Sequence, residues 1–322
     1  MAKLVITIPA LNESKTIGAV LDAIPKNLPH ITSTEVIVVD DGSTDDTKQI
    51  AQSRGAHVVS HRYSQGVGGA FHTGLYRALK HGADIIVNLD ADGQFNPQDI
   101  PKLIQPILEG EADFVTATRF ANPEYFPVMP AIKIWGNKWV TRMVNSITGQ
   151  TFTDVSCGFR AYSRETALRL TLFGKFTYTQ ETLIDAAFKG LHIMEVPLKI
   201  RGEREHGTSR VASNLWRYAS KSASIMFRAA RDYKPFYFFG VPGIILALIG
   251  IAAGIFLLWH YVRTGQTYPY RSLVPGSGIL LIIGFLLFFM SMLADMQHRN
   301  RLILEKILYL TRKDAYSSKE HE

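Results

Sequence analysis

The stretch VIVVDDGSTDDTKQIAQSR, residues 36–54, places a strand pattern directly before a helix pattern. Val36–Val39 is a short apolar run of the kind found in buried strands, and Asp45–Arg54 has helical character. Two aspartates and a glycine lie at the junction. The stretch therefore predicts one β/α unit whose connecting loop is acidic.

The same order of patterns recurs on both sides of this unit. Further strand-like runs occur at Leu4–Ile8, His57–Val59, Ile85–Leu89 and Phe114–Ala117, and further helical stretches at Lys15–Ile24, Gly69–His81 and Pro97–Glu109. Alternation of this kind predicts an α/β fold in which helices cover both faces of a mostly parallel sheet. Ligands of such sheets bind beyond the carboxyl ends of the strands.

Polar loops follow the first two strands at that predicted edge. Pro9–Ser14 follows the first strand, and Asp40–Asp45 follows the second. Carboxylates there can accept hydrogen bonds from ribose hydroxyls or from a base N–H group. Capping of the next helices is an alternative role for the short polar residues, namely Asn12, Ser14, Ser43 and Thr44. Capping alone does not explain two adjacent aspartates.

A third acidic loop, Asp90-Ala91-Asp92-Gly93-Gln94, follows the fourth strand. Two carboxylates spaced i, i+2 at a strand end can share one hard divalent cation. Such a cation can bridge a diphosphate and stabilise it as a leaving group. An isolated Asp-x-Asp also occurs in surface turns, but the neighbouring acidic loops favour the metal interpretation.

A glycine run, Gly66-Val67-Gly68-Gly69, suggests a nucleotide loop at first sight. The dinucleotide-binding pattern fails because Phe71 stands where the third glycine belongs, and the Gly-Lys-Ser/Thr of a P-loop does not occur. The glycines more simply allow a loop and a helix start to pack close to a ligand.

Composition narrows the class of protein. The chain has 322 residues, 47% of them hydrophobic, and a net charge of +7. Its single cysteine, Cys157, excludes an internal disulfide and a cysteine-cluster metal site. The N-terminal residues do not have the pattern of a signal peptide, so the bulk of the protein is expected to stay where it is made.

Two runs without Asp, Glu, Lys or Arg, at 236–259 and 272–294, are long enough to cross a bilayer. Cationic residues lie before the first run and after the second, whereas the connector holds only Arg263 and Arg271. The positive-inside rule then places both termini in the cytosol and the connector outside. The cationic residues lie beside the spans rather than along a separate face, which argues against nucleic-acid binding.

The sequence predicts four regions. Residues 1–210 form a cytosolic catalytic domain, and 211–234 form an amphipathic juxtamembrane segment with a helix at Asn214–Tyr233. Residues 235–295 hold two transmembrane helices, about 236–259 and 274–294, and 296–322 form a cytosolic tail. The alternation of apolar and basic residues in Asn214–Tyr233 is typical of a helix in the interface plane of an anionic membrane.

Seven motifs together resemble family 2 glycosyltransferases with the GT-A (Rossmann-like) fold, in the polyprenyl-phosphate branch that includes dolichyl-phosphate mannose synthase. They are IPALNE (8–13), VVDDGSTDDT (38–47), QGVGGAFHTG (65–74), LDADGQF (89–95), TRF (118–120), DVSCGFRAYSR (154–164) and GEREHGTSR (202–210). The resemblance runs from about residue 3 to residue 233. From the resemblance, together with the charge asymmetry around the two spans, we expect an integral membrane enzyme with its catalytic domain and both termini in the cytosol, in a prokaryotic plasma membrane rather than the endoplasmic reticulum.

The resemblance also implies roles for individual residues. The nucleotide-sugar donor, UDP- or GDP-linked, would be bound by Pro9, Leu11, Glu13, Asp41, Asp90 and Gln94. Mg²⁺ or Mn²⁺ would be held by Asp90, Asp92 and Gln94. The lipid phosphate would be met by Arg119, Arg204, Ser209 and Arg210, with Lys133 in place of an arginine. Asp92 and Asp154 would act at the reaction centre, and Asp154 is either a base or an orienting group.

The implied reaction is the inverting transfer of a hexose or an N-acetylhexosamine to a polyprenyl phosphate, dolichyl or undecaprenyl. A polysaccharide synthase of the same fold is one alternative, but its Gln-x-x-Arg-Trp signature is absent and two spans are few for a polymer channel. A non-catalytic membrane module that binds a nucleotide-sugar is another, and the intact acidic motifs argue against it. A homo-oligomer and a monomer both stay open.

Overall fold

The computed structural model describes residues 1–172, 178–202 and 215–317, with residues 215–219 and 317 described by their backbone alone. The chain divides into two compact units. The first unit comprises Met1–Ile225 and Leu308–Glu322, and the second comprises Met226–Ile307.

The first unit is built on a seven-stranded sheet of order β3-β2-β1-β4-β6-β5-β7. Its strands are β1 (Ala2–Ala10), β2 (Ile31–Asp40), β3 (His57–Ser60), β4 (Ile85–Asn88), β5 (Phe114–Thr118), β6 (Arg160–Ser163) and β7 (Ile193–Pro197). β6 pairs antiparallel with β4 and with β5, and the other pairs are parallel. The predicted mostly parallel α/β sheet is confirmed.

Helices of the first unit connect these strands. They are α1 (Ile17–Asp22), α2 (Thr47–Ser53), α3 (Gly66–Lys80), α4 (Ile100–Leu108), α5 (Ala131–Thr148), α6 (Arg164–Arg169) and α7 (Thr179–Phe188). α8 (Leu215–Tyr233) follows and crosses into the second unit. α3 lies close to the sheet because Gly74 has no side chain, and a Cβ there would be 3.1 Å from Thr7.

Apolar side chains explain why the central strands form where they do. β4 is buried along its whole length, and Leu4, Ile6 and Ile8 of β1 are fully buried. A strand covered on both faces has a continuous apolar sequence rather than an alternating one. All five predicted strand-like runs coincide with β1–β5, although β3 at the edge of the sheet is only half-buried.

The antiparallel strand β6 was not predicted, because a short strand containing an arginine has no apolar pattern. Arg160 is nevertheless fully buried. Its Nε donates to the carbonyl oxygen of Cys157 at 2.8 Å, its Nη2 donates to that of Val155 at 3.3 Å, and its Nη1 donates to Thr182. These acceptors satisfy the guanidinium, so the charge can lie in the interior.

The second unit holds a helical hairpin. α9 (Val241–Thr264) follows a π-helical turn at Phe236–Gly240, and α10 spans Leu273–Ser317. Gly243, Gly250 and Gly284 bring the two backbones together, since a Cβ on Gly284 would be 2.6 Å from the nitrogen of Ala247. Small residues at helix contacts are typical of membrane helices.

Both helices are long and apolar enough to cross a membrane. The candidate spans are Phe236–Thr264 and Leu273–Tyr316, with mean hydropathies of 2.6 and 2.5 in their most apolar windows. Only 17% of each window is buried, unlike the core helix of a soluble protein. The chain therefore has two candidate membrane-spanning helices.

The end of α10 belongs to the first unit and is bound to it by side chains. Arg312 donates to the carbonyl oxygens of Leu168 (3.1 Å) and Leu170 (2.8 Å), and it also donates to the Tyr76 hydroxyl at 2.5 Å. Tyr309 donates to Glu165 at 3.0 Å. These contacts attach the helix end to α3 and α6. Residues 296–317 are therefore helical, where the sequence suggested only a tail.

Candidate active site

The acidic motifs lie at one edge of the sheet. β1, β2, β4 and β5 are mutually parallel, so their carboxyl ends point the same way. Asp40 ends β2, Asp90 follows β4 by two residues, and Arg119 directly follows β5. The fold thus brings to one edge residues that lie as many as 79 positions apart in the sequence.

The loops after β1 and β2 are joined by hydrogen bonds. The backbone nitrogen of Asn12 donates to Ser43 Oγ at 2.9 Å, and that of Thr44 donates to Asn12 Oδ1 at 2.8 Å. The backbone nitrogen of Glu13 donates to Thr47 Oγ1 at 2.8 Å. Asn12 adopts a left-handed conformation, with a φ of 51°. The two loops therefore form one wall of the edge.

The capping interpretation of these polar residues is wrong. α1 has Thr16 at its N-cap position and α2 has Asp46, and neither N-cap side chain accepts a capping hydrogen bond. The short polar side chains bond across the two loops or to nearby backbone instead, which explains why Asn12, Ser43 and Thr44 occur here.

Asp41 is buried, and its carboxylate holds the turn that begins α3. Oδ1 accepts from His61 Nδ1 at 2.7 Å and from the backbone nitrogen of Gln65 at 2.8 Å. Oδ2 accepts from Ser64 Oγ at 2.7 Å and from the backbone nitrogen of Gly66 at 2.9 Å. A carboxylate has about four lone-pair sites, so these partners match its capacity. Asp41 thus fixes the turn that joins β3 to α3.

The third acidic loop carries Asp90 and Asp92. Asp92 is buried, and its Oδ1 accepts from the backbone nitrogen of Gln94 at 3.0 Å. Gly93 between them has a φ of 74°, which favours glycine. The turn places Asp90 and Asp92 within four residues of the end of β4.

A buried tyrosine lies against Asp90. Asn88, at the end of β4, donates to the Tyr178 hydroxyl at 2.7 Å, and a Cβ on Gly158 would be 2.9 Å from that hydroxyl and 3.1 Å from Asp90 Oδ2. Burial, reinforced by the charge of Asp90, raises the pKa of Tyr178 well above its usual value. Tyr178 therefore stays a neutral hydroxyl. Stacking on Phe71, with ring centroids 4.1 Å apart, fixes its ring.

Arg119, which is half-buried, forms an ion pair with the fully buried Asp154. Arg119 Nε lies 2.6 Å from Asp154 Oδ2, and its Nη2 lies 2.9 Å from Oδ1 and 2.6 Å from Ser156 Oγ. Burial opposes ionisation of Asp154, but Arg119 and the hydrogen bonds from Ser156 outweigh it and hold the pKa of this carboxyl below its usual value. A carboxylate held in this way is a weak base and a good anchor for a guanidinium.

Glu195 of β7 supports the same loop, and the sequence analysis missed it. It accepts from the backbone nitrogens of Thr153 (2.8 Å) and Asp154 (3.0 Å). Burial raises the pKa of Glu195. A charged residue within a strand-like run was the signal that could have revealed it. Burial also raises the pKa of Cys157 to about 12, so this thiol is neutral and unreactive.

Gln94 connects the third acidic loop to the segment before the basic run. Its Nε2 donates to the carbonyl oxygen of Arg201 at 3.0 Å, and the backbone nitrogen of Arg201 donates to the carbonyl oxygen of Gln94 at 3.2 Å. The next residue, Gly202, is so close to Val128 that a Cβ would be 2.1 Å from the Val128 carbonyl oxygen. The start of the run 201–210 is thus fixed beside the Asp90–Asp92 loop.

The structure gives less detail on the other predicted site residues. Pro9, Leu11 and Glu13 are half-buried in or after β1, at the wall formed by the two joined loops. Lys133 is exposed in the first turn of α5. Arg204, Ser209 and Arg210 lie outside the described residues. Of the predicted acceptor residues, the structure therefore describes only Arg119 and Lys133.

The donor atoms at the edge fit a hard divalent cation. Asp90 and Asp92 offer carboxylate oxygens, the ligands that Mg²⁺ and Mn²⁺ prefer. The amide nitrogen of Gln94 is used on Arg201, so the amide oxygen is the atom of this side chain that could meet a cation.

Comparison with known proteins agrees with this arrangement. The UDP-N-acetylglucosamine–dolichyl-phosphate N-acetylglucosaminyltransferase of Methanococcus voltae is 35% identical over 212 residues, which cover 60% of this chain and 83% of the relative. The undecaprenyl-phosphate mannosyltransferase of Micrococcus luteus is 30% identical over 224 residues, covering 65% of this chain and 87% of the relative. Relatives of this chain are thus polyprenyl-phosphate sugar transferases.

A solved structure shows the same fold with ligands. Glucosyl-3-phosphoglycerate synthase from Mycobacterium tuberculosis, in complex with Mn²⁺, UDP and phosphoglyceric acid, superposes with a TM-score of 0.55 and 26% identity. The alignment covers 71% of this chain and 78% of the synthase. The same synthase has also been crystallised with Mg²⁺ and UDP. A divalent metal and UDP are therefore ligands of this fold in a neighbour.

The family itself follows from a match to the family model described as "Glycosyl transferase family 2", which covers residues 5–170. These residues are more than half of the chain and include the three acidic loops and the Arg119–Asp154 pair. The chain belongs to glycosyl transferase family 2.

Proposed function

We propose that this protein transfers a hexose or an N-acetylhexosamine from a UDP- or GDP-linked sugar to a polyprenyl phosphate, with inversion at the anomeric carbon. The observation that carries the proposal is the pair of hydrogen bonds between Gln94 and Arg201. They hold the start of the basic run 201–210 next to the loop that carries Asp90 and Asp92. A lipid phosphate bound by that run would therefore meet the donor sugar.

On the donor side, the chain's residues bind and orient the nucleotide-sugar. Pro9, Leu11 and Glu13 line the wall formed by the first two loops, and Asp41 holds the turn before α3. A Mg²⁺ or Mn²⁺ ion held by Asp90, Asp92 and Gln94 would supply charge neutralisation for the departing nucleoside diphosphate.

On the acceptor side, the lipid phosphate is already an anion and needs little deprotonation to attack. The work of the protein is then positioning and charge stabilisation. Arg119 would orient the phosphate, together with Lys133, Arg204, Ser209 and Arg210. Asp154 fits an orienting group better than a base, because its pKa is lowered and both its oxygens hold Arg119.

The reaction is placed at the cytosolic face of a prokaryotic plasma membrane. The charge asymmetry around the two candidate spans supports cytosolic termini and an external connector. A reporter fused after Glu322 is expected to be cytosolic, and one inserted near Gly265 is expected to be external. The reverse pattern would separate the active site from cytosolic nucleotide-sugars and overturn this placement.

The function is tested by incubating the purified full-length protein in lipid with a short polyprenyl phosphate and a panel of UDP- and GDP-sugars. Mass spectrometry is expected to show the lipid phosphate plus one sugar. Chelator should abolish the product, and added Mn²⁺ or Mg²⁺ should restore it. A polymeric product, or free sugar without a lipid product, would contradict the proposal.

Two matched variants locate the activity at the edge. Asp92→Asn is expected to lower turnover by roughly a thousandfold, because a metal contributes several kcal/mol of charge stabilisation. Asp99→Asn is the control, since Asp99 pairs only with surface Lys102 among the described contacts and lies outside the proposed site. Equal activity of the two variants would show that Asp92 does not take part in the reaction.

A further inference from the structure

Two tryptophans are exposed on the surface of the first unit. Trp135 is 64% exposed, Trp139 is 48% exposed, and Ile132 of the same helix is 53% exposed. Their spacing of three and four residues places them on one face of α5. We call Ile132, Trp135 and Trp139 the tryptophan face. Contiguous apolar side chains on a surface, unlike scattered ones, mark an interaction site.

The opposite face of α5 is buried and partly polar. Asn137, Val140, Thr141 and Val144 point into the unit. Within the described part of the chain, the side-chain amide of Asn137 and the hydroxyl of Thr141 are buried without a hydrogen-bond partner. A surface helix of a soluble protein normally buries its apolar side chains and exposes its polar ones. α5 departs from this pattern because it buries Asn137 and Thr141 beside its two valines and leaves both tryptophans exposed, although burying each tryptophan would remove about 150–250 Å² of surface from water.

The charges around the tryptophan face indicate what covers it. α5 has no acidic residue, and it carries three exposed cations, Lys133, Lys138 and Arg142. Tryptophan beside lysine and arginine is the composition of helices that lie in the headgroup region of anionic membranes. A symmetric contact with a second copy would instead bring these like charges together.

We propose that the tryptophan face of α5 inserts into the boundary between headgroups and acyl chains of an anionic bilayer. The same chain carries two candidate membrane-spanning helices, so a bilayer would be available to this face. Val128, which is 87% exposed just before α5, extends the apolar surface. The first unit would then touch the membrane directly, in addition to the two spans. This inference does not depend on the proposed sugar transfer.

The fold offers a matched control helix. α4 also packs on the sheet, its outward residues include Lys102 and Gln105, and the exposed Glu109 directly follows it. Gln105 is bound to Glu109 through its amide, as on an ordinary solvated face. A tryptophan placed at Gln105 therefore reports on the aqueous surface of the same unit.

The test uses the full-length protein in vesicles of phosphatidylcholine and phosphatidylglycerol. Trp139, Trp216 and Trp259 are replaced by Phe so that Trp135 is the only tryptophan, and a second protein has all four replaced and carries Gln105→Trp. Brominated lipid is expected to diminish the Trp135 emission, while acrylamide in the water has little effect. The Gln105→Trp reporter should show the opposite.

Several outcomes would overturn the inference. Trp135 quenched by acrylamide and not by brominated lipid would show an aqueous surface. Protection from both quenchers would show burial against protein, including a second copy. A reporter with Trp139 as the only tryptophan repeats the test if the first variant does not fold, which exposure of Cys157 to a thiol reagent reveals. With Lys138→Gln and Arg142→Gln added, quenching should fall only in vesicles that contain anionic lipid.

Discussion

Asp41 and Asp154 are both buried carboxylates at the same edge of the sheet, but they are held in different ways. Asp41 lies after β2 and accepts from two backbone nitrogens, a serine hydroxyl and a histidine ring. Asp154 lies on the side of β5 and is held chiefly by the guanidinium of Arg119. Asp41 is thus held by four hydrogen-bond donors from the turn around it, whereas Asp154 has one cationic partner together with the backbone nitrogen and the hydroxyl of Ser156.

The difference predicts which substitutions near each carboxylate will destabilise the protein most. The backbone nitrogens of Gln65 and Gly66 donate to Asp41 whatever side chains surround it. No single side-chain substitution around Asp41 therefore removes all of its hydrogen bonds. Removing Arg119 leaves a charge buried without its counter-ion, and that is among the costliest changes a protein can undergo. We therefore expect unequal responses to equivalent substitutions on the two sides.

The largest effect is expected for Arg119→Ala. Loss of one partner of a buried ion pair destabilises by about 3–5 kcal/mol. The free energy of opening can be measured from the denaturant dependence of Cys157 labelling, since this single thiol is buried near the pair. The double variant Arg119→Ala/Asp154→Ala should recover much of the loss. Equal instability of the single and double variants would show that the buried charge is not the cause.

A smaller effect is expected for Ser64→Ala on the donor side. One hydrogen bond to a charged group is worth about 1.5–3 kcal/mol, and the other partners of Asp41 remain. Ser53→Ala is the control, because in the described part of the chain the Ser53 side chain bonds only to the carbonyl oxygen of Ile50, on an exposed helix surface. A loss as large as that of Arg119→Ala would mean that Asp41 also depends on a single partner.

The smallest effect is expected in acid, in the melting temperatures of the wild type and of Asp154→Asn. The pKa of Asp154 is lowered in the folded protein, so the ion pair contributes its full stability above the unfolded pKa of about 3.9. That stability is lost as the pH falls below this value toward the lowered pKa. The melting temperature of the wild type should therefore fall more steeply below about pH 4 than that of Asp154→Asn. Parallel curves would argue against the lowered pKa.

The parts predicted from sequence are those with local patterns. The apolar runs of β1, β4, β5 and the end of β2 are visible because these stretches are largely buried, and the acidic loops are visible because they directly follow the strands. β6 and α5 escaped prediction for the opposite reason. β6 buries Arg160, and α5 exposes its tryptophans, so neither has the expected polarity.

The partners within the site could not be predicted, because they depend on the folded chain. Asp154 and Arg119 are 35 positions apart, and Asp41 and Ser64 are 23 apart. Nothing in either sequence motif indicates that these side chains meet. The bond between Gln94 and Arg201 spans 107 positions and depends on the sheet order as a whole.

The central claim is that the edge divides into a donor side and an acceptor side, and Arg119→Lys tests it most directly. Lysine keeps a cation beside Asp154 but lacks the planar fork that binds two oxygens at once. We expect transfer to polyprenyl phosphate to fall about ten- to hundredfold, the value of one charge-assisted contact. Binding of the nucleotide, measured by calorimetry on the same preparation, should stay at the wild-type affinity. If nucleotide affinity falls as much as transfer, or if transfer is unchanged, the division of the edge is wrong.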